Sequence, residues 1–211
     1  MVKVVSFDAD GTLVDKCFMD SFWNVGIPEE YSREKGMSFH EAKAEVERRY
    51  EEVGEEDIRW YTPDYWFQLL GLKITAKELM ESYKNEVKVY PEVTEILEEL
   101  GERYPLVVIS NAPREILSFE LLELEGYFAH VFSATTDFKE VRKTTDFYSN
   151  VCRLIGVKPG ELAHVGDHWN FDYIVPRRLG IKTYFLDRDR VKKGKNVVKD
   201  LREFKEKLEP F

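Results

Sequence analysis

The feature that most restricts the fold of this chain is a series of short, nearly continuous apolar runs. They cover residues 4–7, 106–109, 130–132, 162–165 and 183–186. Such runs are typical of strands that are buried on both faces of a parallel sheet. Longer stretches with a helical period lie between most of them, at residues 92–103, 114–125, 146–155 and 171–179. This alternation predicts an α/β fold, a doubly wound parallel sheet, with ligand sites at the carboxyl ends of its strands.

One long segment interrupts this alternation. Between about residues 14 and 88 the sequence has no strand-like run, and helical patterns occur at residues 16–25, 39–53, 63–70 and 76–87. We therefore predict an inserted, all-helical cap subdomain at residues 15–88. The α/β core would consist of residues 1–14 and 89–211, and the hinges would lie near residues 14–16 and 88–91.

Composition limits the kind of partner this chain can bind. The formal net charge of the 211 residues is −9, which argues against a nucleic-acid-binding surface because such surfaces need basic patches. An anionic substrate would therefore need a locally positive site. The sequence has two cysteines without metal-type spacing, no apolar run of membrane-spanning length and no signal segment. We expect a cytoplasmic monomer or homodimer that binds neither nucleic acid nor membrane.

Polar residues follow four of the predicted strands. They are Asp8-Ala9-Asp10-Gly11-Thr12 after the first, Ser110-Asn111 after the second, Lys143 beyond the third, and Gly166-Asp167 through Asp172 after the fourth. Because the carboxyl ends of parallel strands share one edge, these residues should converge on one cleft. Of two carboxylates two positions apart, one can attack an electrophile and the other can carry a proton. Together they can hold a divalent cation.

The order of these motifs resembles the haloacid dehalogenase-like superfamily, and specifically its phosphatases with a helical cap inserted after the first motif. DxDGTL after one apolar strand and GDxxxxD after a later one carry most of the resemblance, which extends over the whole chain. The resemblance implies a Rossmann-like core. It also implies a Mg²⁺-dependent phosphatase that hydrolyses a small phosphorylated metabolite through an aspartyl-phosphate intermediate.

The resemblance further implies roles for four aspartates. Asp8 would attack phosphorus and also bind the ion. Asp10 would protonate the leaving group, later take a proton from water, and give its main-chain carbonyl to the ion. Asp167 would be a further ligand of the ion, whereas Asp172 would bind it through water or position the other ligands. The two downstream aspartates would otherwise only cap a helix, which is their more ordinary use.

The phosphoryl group needs donors and positive charge, and five residues are candidates to provide them. The hydroxyls of Thr12 and Ser110 would donate hydrogen bonds to its oxygens. Backbone N–H groups of Asn111 and of the turn around Gly11 would do the same, and glycine would let the phosphate approach closely. Lys143 would offer its positive charge to the equatorial oxygens during transfer.

The surroundings of Lys143 depart from the family pattern. Many relatives carry a proline after this lysine, which this chain lacks. We expect Thr145 or Asp146 to cap the next helix, so that Lys143 lies just before a helix start and can face an anion. Arg142 and Lys139 are basic neighbours that could take the role instead.

Three further residues have two interpretations each. His164 lies in a strand-like run, so a core hydrogen bond is expected rather than a zinc site shared with His168. The ring of His168 could contact the outer shell of the ion or the leaving group. Arg59 could contact the leaving group from the cap, although a surface arginine stacked on an aromatic ring is the commoner case.

Other activities of the same superfamily are alternatives. A 2-haloacid dehalogenase uses the aspartate to attack carbon, but such relatives need no metal and lack the second acidic residue, so Asp10 and Asp167 weigh against it. A phosphonate-cleaving enzyme would need a cap lysine for a Schiff base, and a phosphomutase would shield the aspartyl-phosphate from water. A non-catalytic binding module is less favoured because nucleophile, acid and ion ligands are all present.

Overall fold

The computed structural model describes residues 1–208 and is built around a six-stranded parallel sheet with the order β3-β2-β1-β4-β5-β6. The strands are β1 (Val4–Phe7), β2 (Leu106–Ser110), β3 (His130–Ser133), β4 (Leu162–Gly166), β5 (Lys182–Leu186) and β6 (Val197–Val198). This arrangement confirms the predicted doubly wound α/β fold. The strand order reverses beside β1, which pairs with β2 on one side and β4 on the other. Ligands of such sheets bind at this kind of switch point.

The regular elements between residues 17 and 86 are all helical. Helix α1 (Cys17–Ser21) continues through a π-helical turn (Phe22–Gly26) into α2 (Ile27–Lys35), and α3 (Phe39–Val53), α4 (Pro63–Leu70) and α5 (Ala76–Tyr83) follow, with 3₁₀ turns at Ile58–Tyr61 and Lys84–Glu86. The predicted helices at 39–53 and 63–70 match α3 and α4. The helix predicted at 16–25 is too short, because the helical run extends to Lys35. The division into core and cap at residues 15–88 stays a prediction.

The remaining helices cover the sheet. They are α6 (Val93–Gly101), α7 (Arg114–Glu120), α8 (Ala134–Asp137), α9 (Thr145–Leu154), α10 (Val175–Arg177) and α11 (Leu201–Leu208), with a π-helical turn at Trp169–Ile174. The helix predicted at 114–125 ends at Glu120, and the one predicted at 171–179 is the π-helical turn followed by α10. The expected cap of α9 was wrong by one residue, since the Thr144 hydroxyl accepts the hydrogen bond from the Phe147 N–H.

Both faces of the sheet are buried, which explains the continuous apolar runs. Val5 and Val108 point into a cluster with α6, α11 and apolar residues of α1 to α5, whereas Val4 and Ile109 point into a second cluster with α9. Strand side chains alternate between faces, so a strand covered on both sides must be apolar throughout. Within residues 1–208, none of the helices combines the length and the apolar character that crossing a membrane would require.

Candidate active site

Residues that follow two adjacent strands, β1 and β4, meet at one edge of the sheet. Asp8 follows β1, Asp167 follows β4, and Asp172 lies in the π-helical turn after it. One carboxylate oxygen from each of these three residues lies within 4.8 Å of the other two. Lys143, which precedes α9, reaches into the same place from the side of β2 and β3. The structure thus brings together Asp8, Lys143, Asp167 and Asp172, four of the residues predicted to converge on one cleft.

Lys143 contacts the predicted nucleophile. Its buried ammonium donates a hydrogen bond to Asp8 Oδ1 at 2.7 Å and to the Ile109 carbonyl at 3.3 Å, and it also pairs with Asp172. Burial lowers the pKa of Lys143, but the Asp172 and Asp8 carboxylates outweigh it and raise this pKa overall. The lysine therefore stays charged beside Asp8 at neutral pH.

The two basic neighbours of Lys143 do not reach this place. The Arg142 guanidinium pairs with Glu55 at 3.7 Å and with Glu56, in the loop after α3, and it lies 5.6 Å from the centre of the Phe171 ring. Lys139 is exposed and has a positive φ of 58°. Of the three candidate cations, Lys143 is the one whose contacts suit the predicted role.

Asp172 is fully buried and links Lys143 to the interior. Its Oδ2 accepts a hydrogen bond from the His168 N–H at 3.0 Å, and its Oδ1 lies 3.2 Å from His164 Nε2. His164 Nδ1 lies 2.8 Å from Ser6 Oγ, so this histidine makes the expected core contacts. Burial opposes ionisation of Asp172, but Lys143 and His164 hold its pKa well below the usual range. Asp172 is thus an anion that positions Lys143.

Two glycines leave space for the acidic side chains. Gly11 has a φ of +71°, and a Cβ there would lie 2.2 Å from Asp167 Oδ2. A Cβ on Gly166 would lie 2.4 Å from Asp172 Cγ. The sequence argument for Gly11 invoked close approach of a phosphate, whereas the structure shows close approach of Asp167. Both glycines are needed because any larger residue would displace a carboxylate.

Asp10 is paired with a buried acid that the sequence argument missed. Glu120, on α7, is fully buried, and burial raises its pKa well above the usual range, as does the nearby Asp10. Burial also raises the pKa of Asp10. Among residues 1–208, no donor reaches Asp10 Oδ1 or either oxygen of Glu120. A hydrogen bond between these two carboxyls therefore requires that one of them is protonated. A raised pKa suits the proton-carrying role predicted for Asp10.

Some of the side chains predicted to bind phosphate already make hydrogen bonds within the protein, and others have polar atoms without a partner. Ser110 Oγ accepts a hydrogen bond from the Ala112 N–H at 3.1 Å, and Asn111 Nδ2 donates to the Val141 carbonyl at 2.9 Å. Within the described part of the chain, Asn111 Oδ1 and Thr12 Oγ1 are buried and have no hydrogen-bond partner. The phosphate-binding roles of these residues stay predictions.

The turn after Asp10 uses its own N–H groups. The Gly11 N–H donates to the Val14 carbonyl at 2.8 Å, and the Thr12 N–H donates to the Ala9 carbonyl at 3.1 Å. We expected the turn around Gly11 to offer N–H groups to a phosphate, and this role of the turn stays a prediction. The Gly11 and Thr12 N–H groups close the turn, so they fix the loop that carries the two aspartates.

Arg188, in the loop after β5, supports the same turn from the outside. Its guanidinium donates to the main-chain oxygens of Gly11 at 3.2 Å and Thr12 at 2.8 Å. It also pairs with the buried Glu92 at 2.8 Å, and it lies 3.5 Å from the centre of the Tyr90 ring. Arg188 was not predicted from the sequence, because it lies in a polar loop rich in charged residues, where nothing distinguishes it from its neighbours.

Lys16, just before α1, also reaches the acidic cluster. Its ammonium lies 2.8 Å from Asp167 Oδ2. Partial burial lowers the pKa of Lys16, but the contact with Asp167 outweighs burial and raises this pKa overall. The Lys16 side chain is therefore charged. Two lysines from opposite sides thus neutralise part of the charge of the three clustered aspartates. No pattern in the sequence distinguished Lys16.

His168 and Arg59 are held by local contacts. His168 Nδ1 accepts a hydrogen bond from the Phe171 N–H at 3.1 Å, and its ring stacks on that of Phe171 with centroids 4.2 Å apart. Arg59 donates to both oxygens of Asp57 at 3.0 Å and lies 5.4 Å from the centre of the Tyr65 ring. Arg59 is therefore a surface arginine that lies over an aromatic ring, which is the commoner of the two interpretations given above.

The three clustered carboxylates fit a hard divalent cation. Asp8, Asp167 and Asp172 offer one oxygen each within the range that a single ion could bridge. Carboxylate oxygens are the ligands that Mg²⁺ prefers, usually with several waters retained. An acidic cluster of this kind could hold a metal ion at the carboxyl edge of the sheet.

Comparisons with known proteins identify the class of hydrolase. A sequence profile of the haloacid dehalogenase-like hydrolases matches residues 2–205. The GMP/IMP nucleotidase YrfG of Escherichia coli is 37% identical over 172 residues, which cover 79% of this chain and 74% of that protein. The glyceraldehyde 3-phosphate phosphatase of Pyrococcus abyssi is 25% identical, covering 88% of this chain and 82% of that protein. The crystal structure of a HAD phosphatase from Thermococcus onnurineus superposes with a TM-score of 0.84 at 24% identity and covers 98% of both chains.

The chain therefore belongs to the haloacid dehalogenase-like hydrolases. Its fold and the order of its motifs agree with this family, as the resemblance implied. It is an enzyme, a phosphatase-type hydrolase, and its relatives include a nucleotidase and a triose phosphate phosphatase.

Proposed function

We propose that this chain is a Mg²⁺-dependent phosphatase that hydrolyses a small phosphomonoester, with Asp8 as the nucleophile. The contact between the Lys143 ammonium and Asp8 Oδ1, at 2.7 Å and buried, is the observation that carries this proposal. A fixed cation beside a carboxylate can draw in a phosphate dianion that the carboxylate alone would repel. The names of the two relatives above, both acting on small phosphorylated substrates, support the same class.

The proposed reaction has two steps, both on residues of this chain. Asp8 Oδ attacks phosphorus, the bond to the leaving oxygen breaks, and Asp10 gives that oxygen its proton. Asp10 then takes a proton from the water that hydrolyses the aspartyl-phosphate. Mg²⁺, held by Asp8, Asp167, Asp172 and the Asp10 carbonyl, would supply positive charge to the phosphoryl oxygens. Lys143 stays charged throughout and balances the negative charge as it moves.

Contacts between the helical segment and the core support a cap at residues 15–88. Arg142, which precedes Lys143 in the core, pairs with Glu55 and Glu56 in the loop after α3. We propose that the cap closes the cleft over the substrate and keeps bulk water away from the aspartyl-phosphate.

We further propose a nucleoside 5′-monophosphate as the substrate. The relative with 37% identity is by its name a GMP/IMP nucleotidase. A nucleotide is small enough for a cleft under a helical cap. The proposed phosphoryl transfer does not depend on which phosphomonoester is the substrate, because the residues that carry it lie at the carboxyl edge of the sheet.

Hydrolysis of para-nitrophenyl phosphate tests the proposed reaction independently of the natural substrate. We expect activity with Mg²⁺, loss of activity with EDTA, and no turnover by Asp8→Asn. Asp146→Asn, which changes an exposed aspartate at the start of α9, is the matched control and should keep wild-type activity. Activity that persists in EDTA, together with halide release from 2-haloacids, would show a dehalogenase instead.

A further inference from the structure

A small cavity in the helical segment is walled by aromatic side chains. It has a volume of about 220 Å³. The residues that line it are Met19, Asp20, Trp23, Asn24, Tyr50 and Trp60. Sites for whole drug-sized ligands have volumes of roughly 300–1,000 Å³. This cavity, which we call the aromatic pocket, is therefore suited to a single ring system of a ligand that extends beyond it.

Buried aromatics hold both walls of the aromatic pocket in place. The Tyr50 hydroxyl donates to the Trp23 carbonyl at 3.3 Å, and the Trp66 indole N–H donates to the Trp60 carbonyl at 3.0 Å. Trp23 and Trp60 themselves are half-buried, so part of each ring faces the pocket. Fixed, partly exposed indole rings are suitable surfaces for stacking a flat heteroaromatic ring.

The polar edge of the pocket carries one acceptor and one donor side by side. Asn24 Nδ2 donates to Asp20 Oδ1 at 3.4 Å, which is a long hydrogen bond. The carboxylate therefore keeps most of its capacity to accept, and the amide keeps a second N–H. Both side chains are exposed, so a ligand can reach them. A ligand edge with a donor next to an acceptor would complement this pair.

One wall of the pocket leads towards the strand edge, because its helical run starts beside Lys16. Lys16, Asp20 and Asn24 are spaced four residues apart on one helical run, and Lys16 contacts Asp167 at 2.8 Å. Eight residues of helix span about 12 Å, comparable to a nucleotide from its phosphorus to the far edge of its base.

We propose that the aromatic pocket binds the 6-oxopurine base of a nucleoside monophosphate whose phosphate lies at Asp8. This proposal rests on the function proposed above and adds the class of base. The purine stacks against Trp23 and Trp60, its N1–H donates to Asp20, and its O6 accepts from Asn24 Nδ2. In guanine, the 2-amino group supplies a second donor for the Asp20 carboxylate.

The same pair of residues disfavours adenine. In adenine, N1 is an acceptor and the 6-amino group is a donor, so the edge is reversed. Its N1 lone pair would face the Asp20 carboxylate, and its amino group would face the Asn24 N–H. A site that hydrogen-bonds one pattern rejects the opposite pattern strongly, because polar groups are left unpaired.

Steady-state kinetics of the full chain with Mg²⁺ test this proposal. We expect kcat/KM for GMP and IMP to exceed that for AMP and for ribose 5-phosphate by about tenfold or more. In Asp20→Ala the ratio of GMP to AMP should fall towards one. Asp64→Ala, which removes an exposed aspartate at the start of α4, is the matched control and should keep the wild-type ratio. Equal kcat/KM for GMP and AMP in the wild type would overturn the proposal.

Calorimetric titration of GMP and AMP in the Asp8→Asn background with Mg²⁺ present, where the proposed reaction cannot proceed, separates the two proposals. Tighter binding of GMP that is lost in Asp20→Ala supports the pocket even if no phosphatase activity is found. Hydrolysis of para-nitrophenyl phosphate without preference for GMP would leave the proposed function intact and overturn the pocket. Absence of both hydrolysis and GMP binding would overturn both proposals.

Discussion

Replacing Arg188 by methionine tests whether this side chain holds the loop that carries Asp8 and Asp10. Arg188 donates to the main-chain oxygens of Gly11 and Thr12 and pairs with Glu92 at 2.8 Å. Glu92 is only 5% exposed, so the variant leaves its carboxylate buried without this partner. Methionine keeps most of the apolar length of arginine, so the loss is mainly that of polar contacts.

The expected loss of stability follows from the burial of this pair. Removing one partner of a buried ion pair costs about 3–5 kcal/mol. Because the Arg188 side chain is 21% exposed, we expect the lower end, about 3 kcal/mol. For a chain of this length, 1 kcal/mol shifts Tm by about 2–4 °C, so Tm should fall by about 6–12 °C. The rate of the proposed phosphatase reaction should fall as well, because two carbonyls of the loop lose their donor.

The dependence of this loss on pH provides a second check. Burial opposes ionisation of Glu92, but Arg188 outweighs it and lowers the pKa of Glu92 below the ordinary value of 4.5. A lowered pKa in the folded state means that the pair stabilises the protein above pH 4.5. That contribution is lost as the pH falls through the folded pKa. The difference in Tm between wild type and Arg188→Met should therefore shrink in acid.

Thermal unfolding of three variants gives the measurement. Arg202→Met is the matched control, since Arg202 pairs with Glu95 at 2.9 Å but both side chains are 55% exposed. Such a surface pair should contribute little. The double variant Arg188→Met, Glu92→Gln should recover part of the lost stability, because no buried charge is left unpaired. An unchanged Tm in Arg188→Met, or an equal loss in Arg202→Met, would refute the argument from burial.

Three further predictions concern the site itself. Lys143→Met should lower kcat/KM for para-nitrophenyl phosphate by about 100- to 1,000-fold, because Lys143 contacts Asp8. Arg142 does not make this contact, so Arg142→Met should leave kcat/KM unchanged. An unchanged kcat/KM in Lys143→Met would contradict the role of Lys143. Asp10→Asn should lower kcat by about 100- to 10,000-fold, and an unchanged kcat would make Asp10 structural. Burial raises the pKa of Glu120, so its contribution to stability is full below the ordinary value of 4.5 and is lost as pH rises towards the higher folded value. Glu120→Gln should therefore raise Tm by an amount that grows as the pH rises above 4.5, and a difference in Tm that does not change with pH would contradict the assignment.

The parts of the fold that follow from one-dimensional patterns could be predicted. Four of the longer strands, β1, β2, β4 and β5, are mostly buried on both faces, so their runs stand out in the sequence. β3 is less buried, and its apolar run is correspondingly shorter. β6 has only two residues and therefore has no pattern to recognise. The helix α11 does carry a signal that was missed, because Leu201, Phe204 and Leu208 are all buried and follow a helical spacing.

The residues of the site likewise fall into those that could be predicted from the sequence and those that could not. Residues next to strand ends, such as Asp8 and Asp167, could be placed from the topology of a parallel sheet. Glu120 could have been suspected, because it follows the buried Ile116 and Leu117 at helical spacing and so falls on the covered face of α7. Arg188 could not, because a loop without periodicity gives no information about which charged residue turns inward.

The charges around the site give a physical reason for the proposed ion. Burial raises the pKa of Asp8, and the Lys143 ammonium opposes this. With Asp8 ionised, as a nucleophile must be, the three clustered carboxylates of Asp8, Asp167 and Asp172 face the two ammonium groups of Lys143 and Lys16, which leaves one negative charge. A phosphate dianion would be repelled by that balance, in a protein whose net charge is already −9. Adding one divalent cation changes the net charge of this cluster from −1 to +1. The raised pKa of Asp10 acts in the same direction, because a protonated acid adds no negative charge while it waits to protonate the leaving oxygen.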